Sequence, residues 1–122
     1  MKLRKLCMLL SAAAALTVGS AFAGDADFVM VNRTGYQIRE IYISAAHKND
    51  WGRDRMGENG TLDNNKQRTF KFGNRAACKQ DIKAVFDEGD TEVIWEDLDL
   101  CEINKLTLKY DRKTKTVSAI KE

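Results

Sequence analysis

A cysteine stands at each end of the 24-residue stretch 78–101, CKQDIKAVFDEGDTEVIWEDLDLC. Between them, Ile82, Ala84 and Phe86 alternate with Lys83, Val85 and Asp87, and Val93 and Trp95 repeat the same two-residue period. Glu88, Gly89 and Asp90 separate the two runs with turn chemistry. The stretch predicts a β-hairpin closed by a Cys78–Cys101 disulfide. Closing a loop of that length removes unfolded-state entropy worth roughly 3 kcal/mol. A metal or redox pair is the competing reading. It lacks support, because there is no CxxC motif and the single histidine, His47, is remote in sequence.

A disulfide requires an oxidising compartment, and the N-terminus has the pattern of an export signal. Lys2, Arg4 and Lys5 precede an almost unbroken apolar run over residues 6–18, and Ala21-Phe22-Ala23 offers a small-x-small cleavage site. The run is short of the ~20 residues a membrane span needs. We expect a signal peptide at 1–23 and a single β domain at 24–122, located in the periplasm or secreted. Cutting after Ala23 leaves 99 of the 122 residues, including two of the three cysteines. It removes three of 20 basic residues and none of the 18 acidic ones, leaving 17 against 18 and a net charge of −1. Such a balance gives no electrostatic case for nucleic acid or an anionic membrane surface. No membrane insertion is expected after cleavage.

The remaining chain reads as about seven strands. Residues 27–33 are β-rich and Thr34-Gly35 is a turn signal. In 36–44, Tyr36 and Ile38 fall on one phase and Ile41 and Ile43 on the other, which predicts a β-bulge near Arg39 and Glu40. Phe70 and Phe72 share a side of 66–73, and Leu106, Leu108 and Tyr110 share a side of 103–110. Residues 116–120 form a last short strand after the charged turn DRKTK. No proline occurs anywhere, so the turns rest on Gly, Asn and Asp. The fold class is all-β: a small antiparallel sandwich or a partly open barrel with one disulfide.

Residues 45–65 show no sustained period and contain Gly52, Gly57 and Gly60. A loop this long in a small domain is often functional. Trp51, Met56 and Leu62 read as apolar pins, and a short helical turn over 50–56 fits the pattern. Trp51 also reads as an exposed contact for a sugar or a protein. Trp51, Arg53, Asp54 and Arg55 are the candidate partner-binding residues, since aromatic and arginine side chains anchor protein interfaces.

Other chemistry is thinner. His47 with Ser44 and Asp50 or Asp54 is the one set from which a hydrolytic triad can be written, with no Gly-x-Ser-x-Gly elbow to support it. Asp87, Glu88 and Asp90 are weak calcium candidates without an EF-hand register. Asn32-Arg33-Thr34 and Asn59-Gly60-Thr61 match glycosylation sequons, and neither is expected to be modified. No metal site, cofactor motif or catalytic residue is assigned.

FVMVNRTGYQIREIYIS, NDWGRDRMG, CKQDIKAVFDEG, WEDLDLC, KLTLKY and RKT, in that order and spacing, make the chain resemble a family of short exported bacterial β-proteins. The resemblance covers nearly all of residues 24–122. It implies a fold and supplies no catalytic residue. Members are sometimes labelled argininosuccinate lyase, an enzyme that is long, helical and tetrameric with a serine-bearing signature loop. This sequence has neither proline nor such a loop, so that label does not transfer. The combined expectation is a non-enzymatic domain that binds a protein or cell-envelope component through 45–65. A small-ligand or calcium module at the acidic turns is the alternative, and a small hydrolase ranks last.

Overall fold

The phase slip at Ile38, Ile41 and Ile43 is the first point at which sequence pattern and structure meet. In the computed structural model, which describes residues 26–73 and 75–122, the pairing of β2 (Ile38–Ala45) with β4 (Lys79–Phe86) shifts register between Ile38 and Glu40. The extra residue returns all three isoleucines to the buried face. The expected signal segment and its cleavage site lie outside the described residues.

Five further strands complete the described chain: β1 (Phe28–Asn32), β3 (Gln67–Phe70), β5 (Glu92–Asp99), β6 (Lys105–Asp111) and β7 (Thr116–Lys121). They form a four-stranded sheet A in the order β3-β1-β6-β7 and a three-stranded sheet B in the order β2-β4-β5. The sheets do not close into a barrel. Among the described residues there is no α-helix, and a 3-10 turn at Glu88–Asp90 occupies the expected acidic turn. No helix in this region is long and apolar enough to cross a membrane.

One core lies between the sheets. Phe28, Met30, Leu106 and Leu108 face it from sheet A, and Ile41, Ile82, Ala84, Phe86, Val93 and Trp95 from sheet B. Phe28 stacks on Phe70 and Phe72 at 5.7 and 6.2 Å between ring centres. A second bulge opposes Asp81: Gln80 pairs with Leu98 but Ile82 with Trp95. That irregularity keeps Trp95 and Leu98, three apart in sequence, buried together. The buried Asp81 carboxylate stabilises it by accepting the Asp97 N–H at 2.8 Å and the His47 N–H at 2.9 Å.

β1 and β6 pair in parallel. Between them the chain passes through β2 of sheet B, β3 on the other side of β1, and the β4–β5 hairpin of sheet B, a long crossover where a tight turn cannot join parallel strands. The predicted disulfide is present: Cys78 and Cys101 are bonded with their Cα atoms 5.1 Å apart. It clamps the open end of the β4–β5 hairpin, where the Leu100 N–H also donates to the Cys78 carbonyl at 2.8 Å.

Candidate functional site

Alternation across sheet B decides which side chains face outward. Ile41, Ala84 and Val93 point into the core, so their neighbours Tyr42, Lys83 and Ile94 point out, directly opposite one another across three strands. Trp51, carried by the 45–65 loop, joins this row. The Lys83 ammonium lies 4.9 Å from the centre of the Trp51 ring and 5.2 Å from that of Tyr42. This is cation–π geometry. Ile94 is 40 % exposed, and the result is an outward band of two aromatic rings and an isoleucine around one lysine.

A polar chain borders the band. The Tyr42 hydroxyl donates to Glu40 Oε1 at 2.7 Å, the Arg39 Nε lies 3.5 Å from Glu40 Oε2, and Arg39 Nη1 donates to Asp90 Oδ1 at 2.6 Å. The hydrogen bond to Glu40, aided by partial burial, pushes the Tyr42 phenol up to about 12. The Asp90 bond likewise raises Arg39 above its ordinary value.

The four candidate residues of the loop divide by what they touch. Arg53 is exposed and Trp51 is half-buried beneath Lys83. Asp54 serves the backbone, where its Oδ1 accepts the N–H groups of Ile41 and Met56, both at 3.0 Å. The Arg55 N–H donates to the Ile41 carbonyl at 2.7 Å, and its guanidinium sits 4.7 Å over Phe72 and reaches the Lys71 carbonyl. Burial there, and then Arg53, lower the Arg55 pKa. Leu62 exchanges two 2.9 Å backbone bonds with Ile38. The loop therefore lines the free edge of β2, pinned by buried Met56 and Leu62. The helical turn considered over 50–56 does not form. Asn49 and Gly52 take left-handed backbone angles, and the Asp54 carboxylate caps the Met56 amide instead. Gly60 is required by contact: a β-carbon there would lie 2.1 Å from the Met56 carbonyl oxygen.

The remaining candidates are occupied by structural bonds. Ser44 is buried, accepts the Asp50 N–H and donates to the Ala45 carbonyl. Among the described residues no hydrogen bond joins it to the His47 ring. In the acidic turn, Asp90 faces Arg39 and Glu88 lies 3.5 Å from Arg112 Nη1. Among the described residues, Cys78, Asp99 and Cys101 form a cluster with metal-ligand spacing, but the two sulfurs are bonded to each other.

Tyr42, Lys83 and Ile94 were not singled out in the sequence. Their outward phase was readable from the alternation in 78–101, but their approach to Trp51 depends on strand register and on the path of the loop. No family model, curated protein or solved structure matches the chain. Its function is read from this geometry.

Proposed function

We propose that the protein is an exported β-domain without enzymatic activity that binds a protein of the cell envelope through the outer face of sheet B. The observation that carries this reading is the contiguous band of Trp51, Tyr42 and Ile94 around Lys83, with Arg53 exposed next to it in the loop. Aromatic side chains around a central lysine, with Arg53 beside them, suit an apolar partner surface that offers an acidic group to the cation. Export is supported by the N-terminal charge and apolar pattern and agrees with the disulfide. Calcium binding at the acidic turn is disfavoured because Asp90 and Glu88 face arginines.

The test compares capture from an envelope extract by the oxidised wild type, Trp51→Ala, Arg53→Glu and a control, Lys115→Glu, on the distant β6–β7 turn. A species held by wild type and control but lost by the two face variants, with thermal unfolding unchanged, is the expected result. Equal recovery by all four excludes this face.

A further inference from the structure

The turn after β1 and the β6–β7 turn flank an open cleft of about 690 Å³. That volume lies within the ordinary range for small-molecule sites. Tyr36 and Tyr110 form its walls and Gly35 adds no side chain, while Arg112 and Lys113 supply positive charge. The walls are fixed from below. Phe86, fully buried in the core, meets Tyr36 edge-on and stacks against Tyr110, each at 6.0 Å between ring centres.

Arg112 lies flat on Tyr36, its guanidinium carbon 3.8 Å from the ring centre. Its Nη1 faces Glu88 at 3.5 Å. Its Nε and Nη2 are shut off from solvent and meet no acceptor among the described residues. Those two nitrogens make up the side-on edge of the guanidinium, whose parallel N–H bonds match the two oxygens of a carboxylate. The nearest acid in the cleft, Asp111, is turned to its own backbone: Oδ1 accepts the N–H groups of Lys113 and Thr114 at 3.0 and 3.4 Å. A buried donor left without an acceptor is destabilising. For a carboxylate in the cleft to reach these two nitrogens the guanidinium has to turn toward it, and the turn would give both an acceptor.

We infer that this cleft is a binding site for a small aromatic carboxylate, with the acid on the Nε/Nη2 edge of Arg112 near Lys113 and the flat ring against Tyr110, beside the edge of Tyr36. The site is independent of the outer face of sheet B. The protein contains three tyrosines; two line the cleft and Tyr42 is on the other sheet's outer surface, so the tyrosines themselves report the location. With the oxidised protein labelled at tyrosine, naphthalene-2-carboxylate is titrated by NMR. The Tyr36 and Tyr110 ring signals shift and those of Tyr42 do not. The neutral analogue naphthalene-2-methanol binds at least about tenfold more weakly, and Arg112→Gln loses at least about tenfold in affinity for the acid while Arg112→Lys falls between. An unchanged thermal transition shows each variant to be folded. Equal binding of acid and alcohol, full affinity in Arg112→Gln, shifts confined to Tyr42, or inorganic phosphate binding as tightly as the aromatic acid would each overturn the assignment.

Discussion

Tyr42 holds its proton well past the range of a free phenol because Glu40 accepts its hydroxyl hydrogen. The ordinary value is 10.0 and the folded value about 12. A pKa raised by folding means that the native state binds the proton more tightly than the unfolded state. The stabilisation is therefore whole below pH 10 and is lost as pH rises through about 12. The side chain is only partly covered, so solvent screening keeps the effect on stability small and spectroscopy is the better readout. In an ultraviolet titration, the phenolate component with a midpoint near pH 12 disappears in Tyr42→Phe and moves to lower pH in Glu40→Gln. A component that survives Tyr42→Phe would count against the bond. Asn32 shows the same dependence on neighbours. It is fully buried, its amide nitrogen donates to the Tyr36 and Leu62 carbonyls, and its oxygen accepts from both the Thr34 N–H and hydroxyl. Every hydrogen-bonding position of the first sequon's amide is thus engaged in shaping the corner after β1, which leaves no route to glycosylation of the folded chain.

Among the elements, the 45–65 loop has a clear physical duty, since an unpaired strand edge invites association with other chains. Asp54, Arg55 and Leu62 cover the edge of β2 with the bonds that another strand would otherwise make. Asp54→Ala leaves the Ile41 amide without its acceptor. We expect faster hydrogen exchange at Ile41 and Met56 and a loss of about 1–3 kcal/mol. Glu58→Ala, at an exposed position in the same loop, stays within about 0.5 kcal/mol of wild type. Unchanged exchange at Ile41 would show that the edge is closed by other means. Glycines and asparagines marked this segment as a loop, and its apolar pins were legible, but its bonding to β2 was not. Asp54 looks the same in sequence whether its carboxylate meets water or two amides. The bulge in β2 was legible because Ile38, Ile41 and Ile43 change phase. Trp95 and Leu98 carry a similar signal in β5 that only the pairing with Asp81 makes plain. The parallel alignment of β1 with β6 left no local trace, because lateral strand order depends on contacts distant in sequence. The cleft was hidden for the same reason, with Tyr36 and Arg112 brought together only by the folding of sheet A beside its turns.

For the molecule as a whole, the two sheets meet differently along their two sides. The loop closes one, and on the other β5 and β7 touch without pairing, joined by the Trp95 indole N–H donating to the Ser118 carbonyl at 2.7 Å. Sheet B thus owes its place to core packing, to the loop, and to the order of its own hairpin. The disulfide acts on that last factor. β4 and β5 already pair along most of their length, so the bridge adds little to the native ladder and works mainly by limiting the unfolded chain. The consequence is specific. Replacing both cysteines by serine should lower the unfolding free energy by roughly 3 kcal/mol while leaving the native spectrum unchanged. The denaturant dependence should steepen, because the freed chain exposes more surface when it unfolds. Urea unfolding followed by tryptophan fluorescence measures both quantities, with Trp95 in the core as the reporter. A variant that lost native fluorescence outright would mean that the bridge positions β5 in the folded state. A variant as stable as wild type would mean that the β4–β5 hairpin persists in the unfolded ensemble, so that the covalent link restricts nothing the chain does not already restrict for itself.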